Sequence, residues 1–226
     1  MLLFLWDYSS KNLANALPLH LPPNATVNAL LLLYPNAMKI YLARHGETDW
    51  NAAKRLQGWT NIPLNAKGKM QATDLARILA STELEAVYCS ALDRSLETAR
   101  IFGREPVIVL SELNEQSLGN YEGVTLTEEQ LVEFQAHRKN PAFCPEGGES
   151  RLMHLARVQQ ALDRIRGSHG NNAQVLIIGH GGTNNLILQE LLKIETDLMF
   201  RIANHDIFLI DLPANGKPTL WKNFEL

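Results

Sequence analysis

The sequence predicts an α/β protein built as a three-layer α/β/α sandwich around a mainly parallel central sheet. Two observations support this fold class. Short apolar runs, typical of strands, recur along the chain, and segments with helical spacing of apolar residues lie between them. Each run holds four or five residues without a polar residue at every second position, which indicates a strand covered on both faces. Helices on both sides of a parallel sheet provide such cover.

Five apolar runs are predicted to form the strands. They are residues 40–43, 86–89, 106–110, 175–178 and 207–210. Each run is bounded by polar or glycine-containing segments, and β-branched or aromatic residues recur in the runs, as expected of strands. The alternation of these runs with helical segments predicts the mainly parallel order.

Four helices are predicted from two kinds of signal. Two segments carry apolar residues at the three- and four-residue spacing of an amphipathic helix. These residues are Met70, Leu75, Ile78 and Leu79 in the first segment, and Leu152, Leu155, Val158, Leu162 and Ile165 in the second. Two more helices are predicted to start at Ser90 and Thr127, because a hydroxyl followed three residues later by Asp93 or Gln130 fits a capping pattern.

Charge and composition narrow the class of protein. With 21 Lys and Arg against 24 Asp and Glu, the net charge is −3, so bulk charge does not favour a polyanion and no nucleic-acid partner is expected. The two cysteines, Cys89 and Cys144, lack metal-ligand spacing, which favours a reduced, cytoplasmic setting. No apolar run approaches the ~18 residues of a membrane span, so no membrane association is predicted.

Residues 1–37 are interpreted as an N-terminal extension to a domain over residues 38–226. A chain of 226 residues suits one large domain with a small appendage. The extension shows no regular hydrophobic period. Its apolar start resembles part of a secretion signal, but no basic region precedes it and Asp7 interrupts it. Because Met38 stands just before the first strand, we expect the extension to be dispensable for the chemistry, either as an added tail or as the product of an upstream start codon.

Polar residues suited to anion chemistry follow four of the predicted strands. They are Arg44 and His45 after the first strand, Arg94 after the second, Glu112 and Glu115 after the third, and His180 after the fourth. Ligands of open α/β sheets bind beyond the carboxyl ends of the strands, so these side chains are expected on one rim. Two histidines and two arginines beside a carboxylate indicate an anion site.

Other chemistries fit these residues less well. Arg44 directly beside His45 would repel a divalent metal ion. The sequence has no Gly-x-Ser-x-Gly segment for a serine hydrolase and no phosphate-binding Gly-x-x-x-x-Gly-Lys-Ser/Thr loop. A tetrahedral oxyanion, most naturally a phosphoryl group held by guanidinium groups and attacked by an imidazole, fits best.

Several short motifs follow one another from Met38 almost to the C-terminus. They are Arg44-His45-Gly46-Glu47-Thr48, Leu56-Gln57-Gly58-Trp59, Tyr88-Cys89-Ser90-Ala91-Leu92-Asp93-Arg94-Ser95, Leu113-Asn114-Glu115, Pro145-Glu146-Gly147-Gly148-Glu149-Ser150 and Gly179-His180-Gly181-Gly182. A lone Arg-His-Gly is a weak signal, but the ordered set is specific. The chain resembles the histidine phosphatase superfamily in its phosphoglycerate mutase-like branch, and within it bacterial phosphomonoesterases such as α-ribazole phosphatase.

The resemblance implies a phosphoglycerate mutase-like fold and a role for each site residue. His45 is implied as the nucleophile that forms a phosphohistidine. Glu115 is implied as the acid and base, because its spacing to Gly119 matches the family better than that of Glu112. Arg44, Arg94 and His180 are implied to surround the phosphoryl oxygens as charge partners.

The resemblance also implies a substrate-binding set of Asn51, Gln57, Gly58 and Gly181. It implies no metal and no organic cofactor, and the expected partner is a small-molecule phosphate ester. A homodimer is left open, because nothing in the sequence decides the oligomeric state. The remaining five histidines match no motif and are assigned no role; they are His20, His137, His154, His169 and His205.

Hydrolysis of a small phosphomonoester is the favoured function. The segment between Glu115 and Gly147 is short and has few basic residues, whereas mutases of this family use a long basic insertion there. Mutase-type phosphoryl transfer is the alternative. A non-catalytic phosphoester-binding module is a third reading, disfavoured because His45, Glu115 and His180 are all present.

Overall fold

A six-stranded mixed sheet forms the centre of the protein in a computed structural model that describes residues 37–194, 200 and 202–222. The strands are β1 (Ala37–Arg44), β2 (Ala86–Cys89), β3 (Val107–Val109), β4 (Gln174–Gly179), β5 (Ile207–Pro213) and β6 (Thr219–Lys222). Their order in the sheet is β3-β2-β4-β1-β5-β6. Strands β1 to β4 pair in parallel, and β5 and β6 add an antiparallel edge.

Six helices lie in the described part of the chain. They are α1 (Asp49–Ala52), α2 (Ala66–Ile78), α3 (Asp93–Phe102), α4 (Glu128–Arg138), α5 (Arg151–Gly167) and α6 (Gly181–Leu192), with short 3-10 turns at Ser111–Leu113 and Gly119–Tyr121. The helix over residues 66–78 and the helix over residues 151–167 confirm the two amphipathic segments. The helices that begin at Asp93 and Glu128 confirm the other two.

Helices cover both faces of the sheet, which makes the three layers. Ile40 and Leu42 of β1 share a buried apolar cluster with residues of α5 and α6. Tyr41 and Ala43, which point to the opposite face, share a second cluster with residues of α2 and α3. The predicted α/β sandwich is confirmed. Strand β6 was not predicted from the sequence.

Helix ends and helix faces confirm one detail of the sequence interpretation and correct two others. Thr127 caps α4 in a capping box with Gln130, as predicted. The predicted cap at Ser90 is wrong, because α3 starts at Asp93 after Leu92 and the Ser90 hydroxyl lies 2.7 Å from His180 Nε2 instead. Met70 and Leu152, placed on apolar helix faces, are 67% and 51% exposed. The buried faces of α2 and α5 are therefore narrower than the spacing suggests.

The first residue of β1 shifts one boundary of the sequence interpretation. Ala37, assigned to the extension, pairs with Pro213 inside the sheet. Residues 1–36 lie outside the described residues, so the dispensability of the extension stays a prediction. No helix in residues 37–194 or 202–222 is long and apolar enough to cross a membrane. The cytoplasmic setting also stays a prediction.

Candidate active site

The register of the parallel strands brings the predicted site residues to one edge of the sheet. Arg44 at the end of β1 is level with Gly179 at the end of β4, and Cys89 at the end of β2 is level with Ile178. The chain segments that follow these strands therefore meet. They carry His45, Arg94 and His180, which is the rim predicted from the sequence.

His45 is held as a neutral imidazole with one free nitrogen. Its Nδ1 lies 2.7 Å from the carbonyl oxygen of Gly46. A carbonyl oxygen only accepts hydrogen bonds, so Nδ1 carries the ring proton and Nε2 keeps its lone pair. Burial, followed by the charges of Arg94 and Arg44, holds the pKa of His45 well below its ordinary value of 6.5. The ring is therefore uncharged at neutral pH and its Nε2 is available as a nucleophile.

His180 lies beside His45, with ring centroids 5.0 Å apart, and both of its nitrogens are engaged. Arg94 Nε donates to His180 Nδ1 at 3.2 Å, so the proton of the neutral ring sits on Nε2, which donates to Ser90 Oγ at 2.7 Å. Burial, together with the neighbouring Arg94, lowers the pKa of His180 well below 6.5. His180 is fully buried, and it contacts the site through Arg94 and through the neighbouring ring of His45.

Arg94 is anchored by three acceptors and stays charged. Besides His180, it donates through Nη1 to the carbonyl of Thr60 at 3.0 Å and through Nη2 to the carbonyl of Gly58 at 2.7 Å. Only 1% of the residue is exposed. Burial lowers the pKa of Arg94 to about 10, which leaves the guanidinium charged at neutral pH. Each Nη has a second hydrogen, so two N–H groups remain for a ligand.

Arg44 brings a second, partly buried guanidinium to the site. Its Nη1 donates to the carbonyl of Ile202 at 2.7 Å. Its Nε is buried and has no hydrogen-bond partner among the described residues. An unpartnered buried N–H is costly unless a ligand accepts from it. Arg44 therefore carries both charge and a donor suited to an anion.

Glu122 shapes the loop that supports Arg94. Its carboxylate accepts from the amides of Trp59, Thr60 and Leu118 at 2.8–3.0 Å. Gly58 has φ +52°, and a Cβ there would lie 2.1 Å from Glu122 Oε1, so only glycine fits. The sequence analysis did not predict this role of Glu122, because the contact joins segments 63 residues apart.

Glu115 is fixed by backbone amides at the N-terminus of α6. Its Oε2 accepts from Gly182 N at 2.8 Å, and its Oε1 accepts from Thr183 N at 3.1 Å and Gln116 N at 2.9 Å. Burial raises the pKa of Glu115, but the Gly182 and Gln116 amides and the charge of Arg94 act against burial, and the pKa lies below its ordinary value of 4.5. The carboxylate is ionised in the free protein.

Arg157 fixes the backbone that carries Glu115. Its guanidinium donates to the carbonyls of Glu112, Asn114 and Glu115 at 2.9, 2.6 and 2.7 Å, and it pairs with Glu149. The side chain of Glu112 pairs with Arg164 instead of facing the site. Of the two candidate acids, the structure therefore places Glu115 at the site. Glu149, to which no role was assigned from the sequence, thus helps to hold Arg157 in place.

These residues surround a cavity of about 290 Å³. It is lined by Arg44, His45, Asn51, Lys54, Arg55, Leu56, Gln57, Gly58, Arg94, Glu115, Gln116, Leu118, Arg138 and Gly182. Five side chains of this set are cationic and one is anionic, which makes it an anion site. In the described part of the chain, no group of three or more His, Cys, Asp or Glu side chains is placed to hold a metal ion.

The cavity includes most of the predicted site residues and three unpredicted cations. Lys54, Arg55 and Arg138 line it without having been assigned a role from the sequence. His180 and Gly181 are absent from this lining set, although Gly182 belongs to it. Gly181 lies against Arg44 instead, since a Cβ there would be 3.7 Å from Arg44 Cζ.

Comparison with known proteins places the chain in a family. The sequence model of the histidine phosphatase superfamily (branch 1) matches residues 40–223. The chain belongs to this superfamily. The matched range starts in β1 and includes every residue of the cavity, so the family assignment and the site concern the same part of the chain.

Two plant proteins resemble the chain in sequence. The metal-independent phosphoserine phosphatase of Arabidopsis thaliana is 35% identical over 154 residues, which covers 64% of this chain and 64% of that protein. Phosphoglycerate mutase-like protein 4 of Arabidopsis thaliana is 32% identical over 154 residues, 64% of this chain and 66% of that protein. The chain thus spans about two thirds of these relatives.

A solved structure of the same superfamily shares the fold over most of the chain. The putative α-ribazole-5′-P phosphatase of Escherichia coli superimposes with a TM-score of 0.71 at 29% identity. The superposition covers 84% of this chain and 96% of that structure. The mixed sheet and its covering helices are therefore the phosphoglycerate mutase-like fold expected from the sequence.

Proposed function

We propose that the protein hydrolyses small phosphate monoesters through a phosphohistidine on His45, with Glu115 as acid and base. The proposal depends on one observation. The neutral, buried imidazole of His45, whose Nδ1 is engaged by a carbonyl, lines a cavity with five cationic side chains and one carboxylate. A phosphoryl group needs a nucleophile, charge partners for its oxygens and a proton for its leaving group, and the cavity holds all three.

In the first step, His45 Nε2 attacks phosphorus and the bond to the ester oxygen breaks. Charge on the phosphoryl oxygens is stabilised by Arg94, which is rigid because three acceptors hold it, and by Arg44. The leaving oxygen takes a proton from the carboxyl group of Glu115. The products are the alcohol and a phosphoryl group bonded to Nε2.

The proton on Glu115 comes with the substrate. The carboxylate is ionised in the free protein, since its pKa is held below 4.5. A phosphate monoester has a second pKa near ~6 and binds partly as a monoanion. Transfer of that proton to Glu115 generates the acid beside a dianionic phosphoryl group. Activity should therefore fall as the pH rises above the second pKa of the substrate.

In the second step, Glu115 removes a proton from water, and the resulting hydroxide attacks phosphorus. The bond between phosphorus and Nε2 breaks, and its electron pair returns to His45 as the lone pair. Inorganic phosphate leaves with the proton from Glu115, which restores the carboxylate. His180 supports both steps through Arg94, whose Nε–H it accepts. The direct contact of His180 and Gly181 with a phosphoryl oxygen stays a prediction from the family resemblance.

The segment after Glu115 supports hydrolysis over mutase-type transfer. Its basic residues are His137, Arg138 and Lys139. Of these, Arg138 lines the cavity, while the ring of His137 stacks on Phe143 at 4.8 Å. This segment therefore brings one cation to the cavity, whereas the mutases of this family use a long basic insertion here. Together with Lys54 and Arg55, Arg138 favours small substrates with additional negative charge on the leaving group.

Release of phosphate from a substrate panel in the presence of a chelator tests the proposed function. The panel contains p-nitrophenyl phosphate, phosphoserine, α-ribazole phosphate and 3-phosphoglycerate, and isomerisation dependent on 2,3-bisphosphoglycerate is followed in parallel. We expect phosphate release that His45→Ala abolishes. Isomerisation faster than release would favour the mutase, and a folded, phosphate-binding protein that turns over no substrate would favour the non-catalytic module.

A further inference from the structure

A buried histidine with no role in the proposed mechanism lies close to Glu115. His154 of α5 is 1% exposed, and its Nε2 lies 3.0 Å from the hydroxyl oxygen of Thr183. Thr183, in the first turn of α6, is fully buried. Its hydroxyl oxygen lies 3.4 Å from Glu115 Oε1 and 2.9 Å from the carbonyl oxygen of Asn114. A short chain of polar groups thus joins His154 to the carboxylate.

The direction of the hydrogen bonds in this chain follows from counting protons. The Thr183 hydroxyl has one hydrogen, and the Asn114 carbonyl and the ionised Glu115 can only accept. If His154 Nε2 were also an acceptor, three acceptors would compete for that hydrogen. With the proton on His154 Nε2, the imidazole donates to the Thr183 oxygen, and the hydroxyl donates to one of two acceptors. The neutral Nε2–H form is the one that satisfies the chain.

Burial keeps the His154 ring neutral, and charged groups of both signs surround it. They are Glu115 and Glu149, which favour its protonated form, and Arg157 and Arg138, which disfavour it. Burial is the largest influence and lowers the pKa of His154 to about 4. At the pH of an ordinary assay the ring therefore acts as a fixed donor to Thr183 and does not titrate.

We propose that His154 is a positioning residue that, through the Thr183 hydroxyl, sets the proton affinity of Glu115. The inference rests on the proposed function, in which Glu115 alternates between acid and base. When Glu115 is ionised, the hydroxyl rotates to donate to Oε1. When Glu115 is protonated, the hydroxyl donates to the Asn114 carbonyl. Only a hydroxyl hydrogen moves, while the His154 N–H keeps the oxygen in place and makes the hydroxyl a stronger donor.

Loss of the donor should make the Glu115 carboxylate less stable and raise its pKa. His154→Leu removes the N–H and keeps an apolar side chain of similar size. His154→Gln retains an amide N–H near the position of Nε2. We expect His154→Leu to raise the titration midpoint of Glu115 by about 0.5 to 1 pH unit, and His154→Gln to restore most of the shift.

The direct readout is the titration of the Glu115 carboxyl carbon by 13C NMR, with the resonance assigned by its absence in Glu115→Gln. The acid limb of the pH profile of kcat/KM for p-nitrophenyl phosphate provides a second readout. Thr183→Val removes the hydroxyl at nearly constant shape. In the Thr183→Val background, His154→Leu should produce no further shift, because the two residues act in one chain.

Val158→Ala is the control for general damage to α5, since Val158 is fully buried in the same helix and belongs to the apolar core. It should lower the melting temperature and leave the Glu115 midpoint unchanged. A His154→Leu protein whose Glu115 midpoint equals that of the wild type would overturn the inference, as would an equal shift in Val158→Ala. Absence of phosphate release in the wild type would reject the proposed function, while the NMR titration would still decide whether His154 controls Glu115.

Discussion

At the scale of single residues, the site depends on the hydrogen bonds that fix the proton of each buried ring. The carbonyl of Gly46 leaves His45 with a free Nε2, and Arg94 leaves His180 as an acceptor at Nδ1. Neither assignment follows from the sequence motifs, because both depend on which atoms face each ring. The motifs predict the residues, and the contacts supply the protonation states that the chemistry needs.

Glu115→Gln should lower kcat/KM more for a substrate whose leaving group needs a proton than for one whose leaving group does not. An alkyl alkoxide needs a proton to leave, so phosphoserine hydrolysis should lose about 10²- to 10⁴-fold in kcat/KM. A nitrophenolate leaves without a proton, so kcat/KM for p-nitrophenyl phosphate should fall by a smaller factor. Steady-state kinetics on both substrates measure the difference. Glu112→Gln is the control, because Glu112 pairs with Arg164 away from the cavity. Equal losses on the two substrates would contradict the acid role.

At the scale of elements, two loops are built to hold the charged side chains still. The segment around Gly58 offers two carbonyls to Arg94 and is itself held by Glu122. The segment that ends in Glu115 is held by three bonds from Arg157. In each case a charged side chain organises backbone groups that are distant in sequence.

Gly58→Ala tests the first of these loops. The residue has φ +52°, and the added Cβ would meet the carboxylate of Glu122, so the loop must shift. We expect a loss of stability of at least about 1–2 kcal/mol from the left-handed backbone alone, and a raised KM because Arg94 loses its carbonyl partners. Gly170→Ala is the matched control, since nothing lies within 4 Å of that position. Thermal melts and phosphate-release kinetics give the comparison, and a Gly58→Ala protein indistinguishable from Gly170→Ala would contradict this account.

Features with a local sequence signal were predicted correctly, and features that depend on contacts between distant segments were not. Apolar runs gave the five predicted strands because residues buried on both faces leave a local signal. Strand β6 carries no such run, and its place depends on pairing with β5. Ser90 matched a capping pattern, yet its hydroxyl is engaged by His180 from another strand end. No sequence motif includes Arg138, and its position at the cavity depends on how α4 packs.

At the scale of the whole molecule, three buried histidines make the stability of the folded protein depend on pH. His45, His154 and His180 are each 2% exposed or less, and burial lowers the pKa of all three. In the unfolded chain these rings take up protons near pH 6.5, whereas in the folded protein they remain neutral to much lower pH. The unfolded state therefore binds more protons below pH 6.5, and the folded state loses stability as the pH falls.

The free energy of unfolding should be nearly constant above pH 7 and should decline from about pH 6.5 toward pH 4. For His154, whose pKa drops from 6.5 to about 4, the loss reaches about 3 kcal/mol at the acid end. Urea unfolding across this range measures the slope. His154→Gln should flatten it, because one group no longer titrates on unfolding. A wild-type protein more stable at pH 5 than at pH 7 would contradict the buried neutral rings.

The central claim is that the reaction passes through a phosphohistidine on His45, and intact-protein mass spectrometry after a rapid alkaline quench tests it most directly. The phosphorylated protein should accumulate when Glu115→Gln is mixed with p-nitrophenyl phosphate. It forms because nitrophenolate leaves without a proton from an acid, and it persists because the second step lacks the base that activates water. The account predicts a protein that carries one added phosphoryl group, mapped by fragmentation to His45 and absent when His45→Ala is introduced as well. Turnover with no phosphorylated protein at any time, or a phosphoryl group on another residue, would contradict it.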